Sequence, residues 1–128
     1  MSSPLGQQKV MTFVATRDGE RARQFYESTL GLKVISDDDF ALALEVDASG
    51  TMLRVQKVDS LHPHPFTSLG WQVADIDETV NYLAGRGVEF ERFEGLDQDR
   101  RGIWKAPSGA RVTWFKDPDG NILSLTQG

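Results

Sequence analysis

The chain repeats itself, and the repeat limits what it can fold into. VMTFVATRD, residues 10–18, alternates as a strand does and ends at Asp18, a good helix N-cap. Ala22, Phe25, Tyr26, Thr29 and Leu30 then recur at helical spacing, with Gly31 in the position that stops a helix. A short strand, Lys33 to Ile35, and the candidate hairpin FALALEV-DASG-TMLRVQKV follow. The second half has the same order. SLGWQVAD, residues 68–75, reads as a strand; Asp75 and Glu78 form a capping box. Ile76, Val80, Leu83 and Ala84 form a helix stripe closed by Gly87, and Val88 to Phe93 reads as a short strand. ARVTWFK-DPDG-NILSLTQ is the second hairpin, and both hairpin turns end in Gly.

The two halves are offset unequally. Asp18 corresponds to Asp75, 57 residues on, and Asp47 to Asp117, 70 residues on. The extra residues fall in EGLDQDRRGIWKAPSG, residues 94–109, which adds a loop and a short strand around Ile103 to Ala106. The prolines of VDSLHPHPF, residues 58–66, mark a linker. The expected fold is α+β: one domain over 1–128 made of two tandem βαβββ modules, about 9–58 and 67–127, joined by 59–66. Together they form a curved, partly open sheet around a concave pocket, with helices on the convex side.

Strand alternation sorts side chains between the two faces. Val10, Thr12, Val14, Leu53, Val55, Leu69, Trp71, Val73, Leu123 and Leu125 are expected beneath the helices. The opposite parity carries Met11, Phe13, Met52, Arg54, Gln56, Ser68, Gln72 and Ser124 toward the pocket. Glu45, Arg111 and Phe115 are assigned to that face too, with Trp104 of the insertion as a stacking candidate. Glu45 lies diagonal to Arg54 across the first hairpin, where an ion pair is expected. Arg111 meets an anionic group or solvent. Trp71 and Trp114 share the parity of core positions. Asp37, Asp38 and Asp39 read as a solvated loop.

Composition removes several chemistries. With no cysteine there is no disulfide, thiolate nucleophile or Cys-ligated metal. A formal net charge of −5 argues against nucleic-acid binding. No stretch approaches a membrane span, and MSSPLGQQKV has no signal-peptide character, so a cytoplasmic protein is expected. The only histidines, His62 and His64, sit in the linker without an evident third ligand. No phosphate loop, triad or nucleophile elbow is present.

RDGERARQFYESTLGLKV, WQVADIDETVNYLAGRGVEF and WFKDPDGNILSL resemble the vicinal oxygen chelate superfamily over roughly residues 9–126. That superfamily includes glyoxalase I, extradiol dioxygenases, and bleomycin and fosfomycin resistance proteins. Its metal-using members usually place a His in the first strand of each half and a Glu in the last. By motif these points fall on Met11 and Ser68, and on Arg54 and Ser124. Soft Met, neutral Ser and cationic Arg are poor ligands for a divalent metal. Positions two residues away, among them Phe13, Met52, Gln56, Gly70, Ile122 and Thr126, offer no carboxylate or imidazole. The resemblance therefore implies a metal-independent small-molecule-binding protein with no cofactor. A metal-dependent lyase, isomerase or dioxygenase relative is the alternative, and an interaction module without a ligand a third. A homodimer is expected, with Phe93, Ile103 and Trp104 near the pocket mouth or interface.

Overall fold

The structure, a computed structural model, describes residues 3–128. Two four-stranded mixed sheets are present, one per half. In the first, β1 (Met11–Thr16), β2 (Lys33–Asp37), β3 (Ala41–Glu45) and β4 (Met52–Lys57) stand in the order β1-β4-β3-β2. In the second, β5 (Thr67–Gln72), β6 (Trp104–Lys105), β7 (Arg111–Lys116) and β8 (Ile122–Gln127) stand in the order β5-β8-β7-β6. The first strand of each half runs parallel to the last, and the hairpins are antiparallel. The register repeats as well. Phe13 pairs with Arg54 in one half, and the equivalent Gly70 pairs with Ser124 in the other.

Each helix begins as its sequence predicts. The Asp18 side chain accepts from the Arg21 backbone N–H and opens α1 (Gly19–Arg23), which runs into a π-helical turn over Gln24–Thr29. Leu30 N–H donates to the Phe25 carbonyl, five residues back, and Gly31 then turns the chain away at φ 78°. Asp75 accepts from Glu78 N–H in the same way and opens α2 (Ile76–Ala84). The Val88–Phe93 segment forms no full strand. It touches the sheet through a single bridge, Phe90 to Phe115, and the sheet edge is taken by β6 from the insertion. The aspartate run is structural rather than a loose loop. Asp37 belongs to β2 and pairs with both Arg23 and Lys57.

Helices and sheets share one apolar core. Leu42, Leu44, Leu53, Val55, Ile76, Leu123, Tyr26 and Phe115 are essentially inaccessible to solvent. Burying each large aliphatic side chain contributes about 1.5–3 kcal/mol. The expected core parities of Val14, Leu53, Val55, Leu69, Leu123 and Leu125 hold, but Val10, expected beneath the helices, lies ahead of β1 and is 68% exposed.

The halves meet along the edges formed by β1 and β5, and polar contacts fix that meeting. The second hairpin turn, Asp117-Pro118-Asp119-Gly120-Asn121, supplies most of them. Tyr26 donates to Asp117 at 2.7 Å, Arg17 N–H to Asp119 at 2.9 Å, and the Asn121 amide to the Ala15 carbonyl at 2.9 Å. In return, the Trp71 indole donates to the Val46 carbonyl at 2.8 Å. These bonds set the face carrying Met11 and Phe13 beside the face carrying Ser68 and Gly70.

Candidate functional site

The face away from the helices is the candidate site, and a single chain leaves it open. Met11 remains 48% and Phe13 51% exposed, which is high for large apolar side chains. Ser68, Gln72 and Gln56 are exposed; Met52, Arg54 and Glu45 are half-buried; Ser124 is buried. Of the twelve sequence-derived candidates, two lie on the wrong side.

Phe115 is in the core, 1% exposed and packed against Phe25 and Phe90. Arg111 also points toward the helices, where it forms two hydrogen bonds with Asp77 of α2 at 2.8 and 2.9 Å. One residue explains both corrections. In the first hairpin Glu45 pairs with Met52, seven positions later. At the matching place in the second, Lys116 pairs with Ile122, six positions later. Val46 thus has no counterpart, and a one-residue change of register turns every side chain of β7 over. The offset along that strand is 71 rather than 70.

The same inversion brings Trp114 to the open face, away from its expected core position. It pairs with Ser124, which pairs in turn with Gly70. Trp114 meets Phe93 edge-on, with ring centroids 5.3 Å apart, and Trp104 at 6.1 Å with the planes tilted by 33°. All three rings are half-buried, so aromatic surface remains accessible. Trp104 and Phe93 are half-buried beside Trp114, whereas Ile103, expected near the pocket mouth or interface, is a core residue. Trp114 was legible only to a reader who knew the hairpin length.

Beside this wall the surface drops to a floor without side chain. A Cβ on Gly70 would stand 2.5 Å from Ser124 Oγ, so the serine hydroxyl occupies space that the glycine leaves free. The expected Glu45–Arg54 ion pair does not form. Pairs among the described residues join Arg23 to Glu27 and Asp37, Lys57 to Asp37, Arg101 and Arg111 to Asp77, and Lys116 to Glu91. Glu45 stands opposite Met52, two residues along the strand from the Ala43–Arg54 pair.

A family model for the glyoxalase/bleomycin resistance protein/dioxygenase superfamily matches residues 8–125. The chain belongs to this superfamily. No curated protein matches it. Solved structures align over nearly its whole length. A superfamily member from Sphaerobacter thermophilus is 26% identical, with 94% of this chain and 97% of that one covered and a TM-score of 0.74. An antibiotic binding protein from a Streptomyces species is 23% identical, with coverages of 94% and 95% and a TM-score of 0.69. A fosfomycin resistance protein from Listeria monocytogenes is 16% identical, with coverages of 95% and 93% and a TM-score of 0.73.

At the four positions that the resemblance assigns to metal ligands stand Met11, Arg54, Ser68 and Ser124, a thioether, a guanidinium and two neutral hydroxyls, a donor set that does not suit a divalent ion. The strand pairs at the middle of each half are Phe13 with Arg54 and Gly70 with Ser124. They supply a ring, a fixed cation, no side chain and a neutral hydroxyl. A guanidinium repels a metal ion and cannot lose its charge. Among the described residues no three His, Cys, Asp or Glu side chains converge. His64 stacks on Phe66 in the linker, with centroids 4.8 Å apart. No described helix is long and apolar enough to cross a membrane.

Proposed function

We propose that this chain is a small-molecule-binding member of its superfamily that works without a metal, and that its ligand is flat and aromatic. The Phe93–Trp114–Trp104 wall over the Gly70–Ser124 floor carries this reading. Aromatic side chains offer large, rigid contact surface, and a few placed polar groups suffice to orient a bound molecule. Ser124, Gln72, Arg54 and Gln56 provide such groups. Met11, Phe13 and Met52 continue the apolar surface on the other half. The antibiotic binding protein of the same fold is consistent with a binding role.

The open face argues for a second copy. Val10, Met11, Phe13 and Phe66 are exposed apolar groups on or near it. A homodimer packed there would cover them and complete the walls of the site, and closed twofold dimers are the commonest soluble oligomers.

Tryptophan fluorescence tests the binding reading directly. Planar aromatic antibiotics are titrated into the protein with and without EDTA. Saturable quenching that EDTA leaves unchanged, and that Trp104→Ala or Trp114→Ala weakens about tenfold, is the expected result. Binding that appears only with an added divalent metal would refute metal independence. Metal-stimulated conversion of the methylglyoxal–glutathione adduct would establish an enzyme instead.

A further inference from the structure

We infer that the ligand of the concave face carries a negative charge, held by Arg54 opposite the aromatic wall. This rests on the binding function proposed above and narrows it to planar aromatic anions such as arene sulfonates and carboxylates.

Two equivalent rows of residues cross the open face. In the first half the row is Ala43, Arg54, Phe13; in the second it is Trp114, Ser124, Gly70. The repeat makes these rows structurally equivalent, yet their chemistry is opposite. Where one half has an alanine the other has a tryptophan, and where one has a phenylalanine the other has bare backbone. The middle positions are a guanidinium and a hydroxyl. Bulk and charge are thus split across the face, with a cationic side in one half and an aromatic side in the other.

Arg54 is half-buried and, among the described residues, makes no ion pair and no side-chain hydrogen bond. Two acids stand near it. Asp38 is committed elsewhere, since its carboxylate accepts from the backbone N–H groups of Phe40 and Ala41 at 2.8 and 2.9 Å. Glu45 lies diagonal across the hairpin without reaching ion-pair distance. A guanidinium kept partly out of water without a partner presents several donors in a planar fork, and such a fork suits carboxylate or sulfonate oxygens.

Between Arg54 on β4 and Trp114 on β7 lie β1, β5 and β8, with Phe13, Gly70 and Ser124 at the matching register positions. Ser124, whose hydroxyl bonds to no described protein group, can engage an oxygen substituent of the ligand.

Three probes of one shape separate the possibilities: anthraquinone-2-sulfonate, 2-(hydroxymethyl)anthraquinone and 2-(aminomethyl)anthraquinone. Each is titrated by tryptophan quenching into the wild type, Arg54→Gln, Arg54→Lys and Trp114→Ala. The sulfonate should bind at least tenfold more tightly than the alcohol, and the amine most weakly. Arg54→Gln should erase the difference between sulfonate and alcohol, and Arg54→Lys should restore part of it. Trp114→Ala should weaken all three probes. Equal affinity for sulfonate and alcohol, or a preference that survives Arg54→Gln, would overturn the anion inference and leave the aromatic-binding reading intact. Failure of every probe to bind would overturn both.

Discussion

Replacing Tyr26 by Phe removes one oxygen and tests how the two modules are held together. The ring is fully buried and its hydroxyl donates to Asp117 Oδ2 at 2.7 Å. Asp117 keeps its other donors: the backbone N–H groups of Asp119 and Asn121 and the Asn121 amide, at 2.8–3.0 Å. The carboxylate therefore loses one bond without losing all support. A hydrogen bond to a charged, buried group contributes about 1.5–3 kcal/mol, and that is the loss expected at neutral pH. Burial raises the Asp117 pKa, and the bonds from Asn121 and Tyr26 partly offset the rise. A raised carboxyl pKa means that the folded state binds the proton more readily than the unfolded chain. Its ionisation therefore costs stability as pH rises through the folded pKa. Tyr26→Phe raises that pKa further, so its penalty should grow as pH rises above the ordinary carboxylate range. Below the ordinary carboxylate range, where Asp117 is protonated in both states, the penalty should be smallest. Urea denaturation followed by circular dichroism at several pH values between 4 and 8 measures this, with an unchanged m-value as the control. A loss under about 0.5 kcal/mol at pH 7, or one that does not vary with pH, would refute the account of the joint.

Four further outcomes are expected. Phe115→Ala should cost about 3–5 kcal/mol because it empties a core site, whereas the neighbouring Trp114→Ala should cost clearly less and act mainly on ligand binding; denaturant midpoints separate the two. Gly70→Ala should turn the Ser124 hydroxyl away at a cost of under about 1 kcal/mol, and Gly70→Ala/Ser124→Gly should recover it, measurable as a double-mutant coupling. Asp77 is held down to about 2, chiefly by its hydrogen bond to Arg111. Its depressed pKa gives stability that is present above the ordinary carboxylate value and lost as pH falls through about 2, so Asp77→Asn should lower the melting temperature at pH 7 and make little difference near pH 2. Sedimentation equilibrium at micromolar concentration should return about twice the monomer mass, and Phe13→Glu should shift it toward the monomer.

The sequence determined what depends on local chemistry and on counting. Asp18 and Asp75 cap their helices because a short acceptor in that position satisfies a free backbone N–H. Gly31, Gly50, Gly87 and Gly120 end helices and turns at φ between 78° and 91° because only glycine does so without strain. The repeat gave the two modules, and strand parity placed Leu53, Leu69, Leu123 and Leu125 correctly. Tertiary structure decided everything that rests on a difference of one residue between hairpins. Val46 has no partner in the second half, so Phe115 and Arg111 turn to the helices and Trp114 to the open face. Composition cannot register that change, because a strand of either parity is equally amphipathic when both faces carry aromatic groups. The joint between the modules was hidden for another reason. Tyr26 and Asp117 are 91 residues apart, and only the packed fold makes DPDGN both a turn and the contact that sets the two halves of the site side by side.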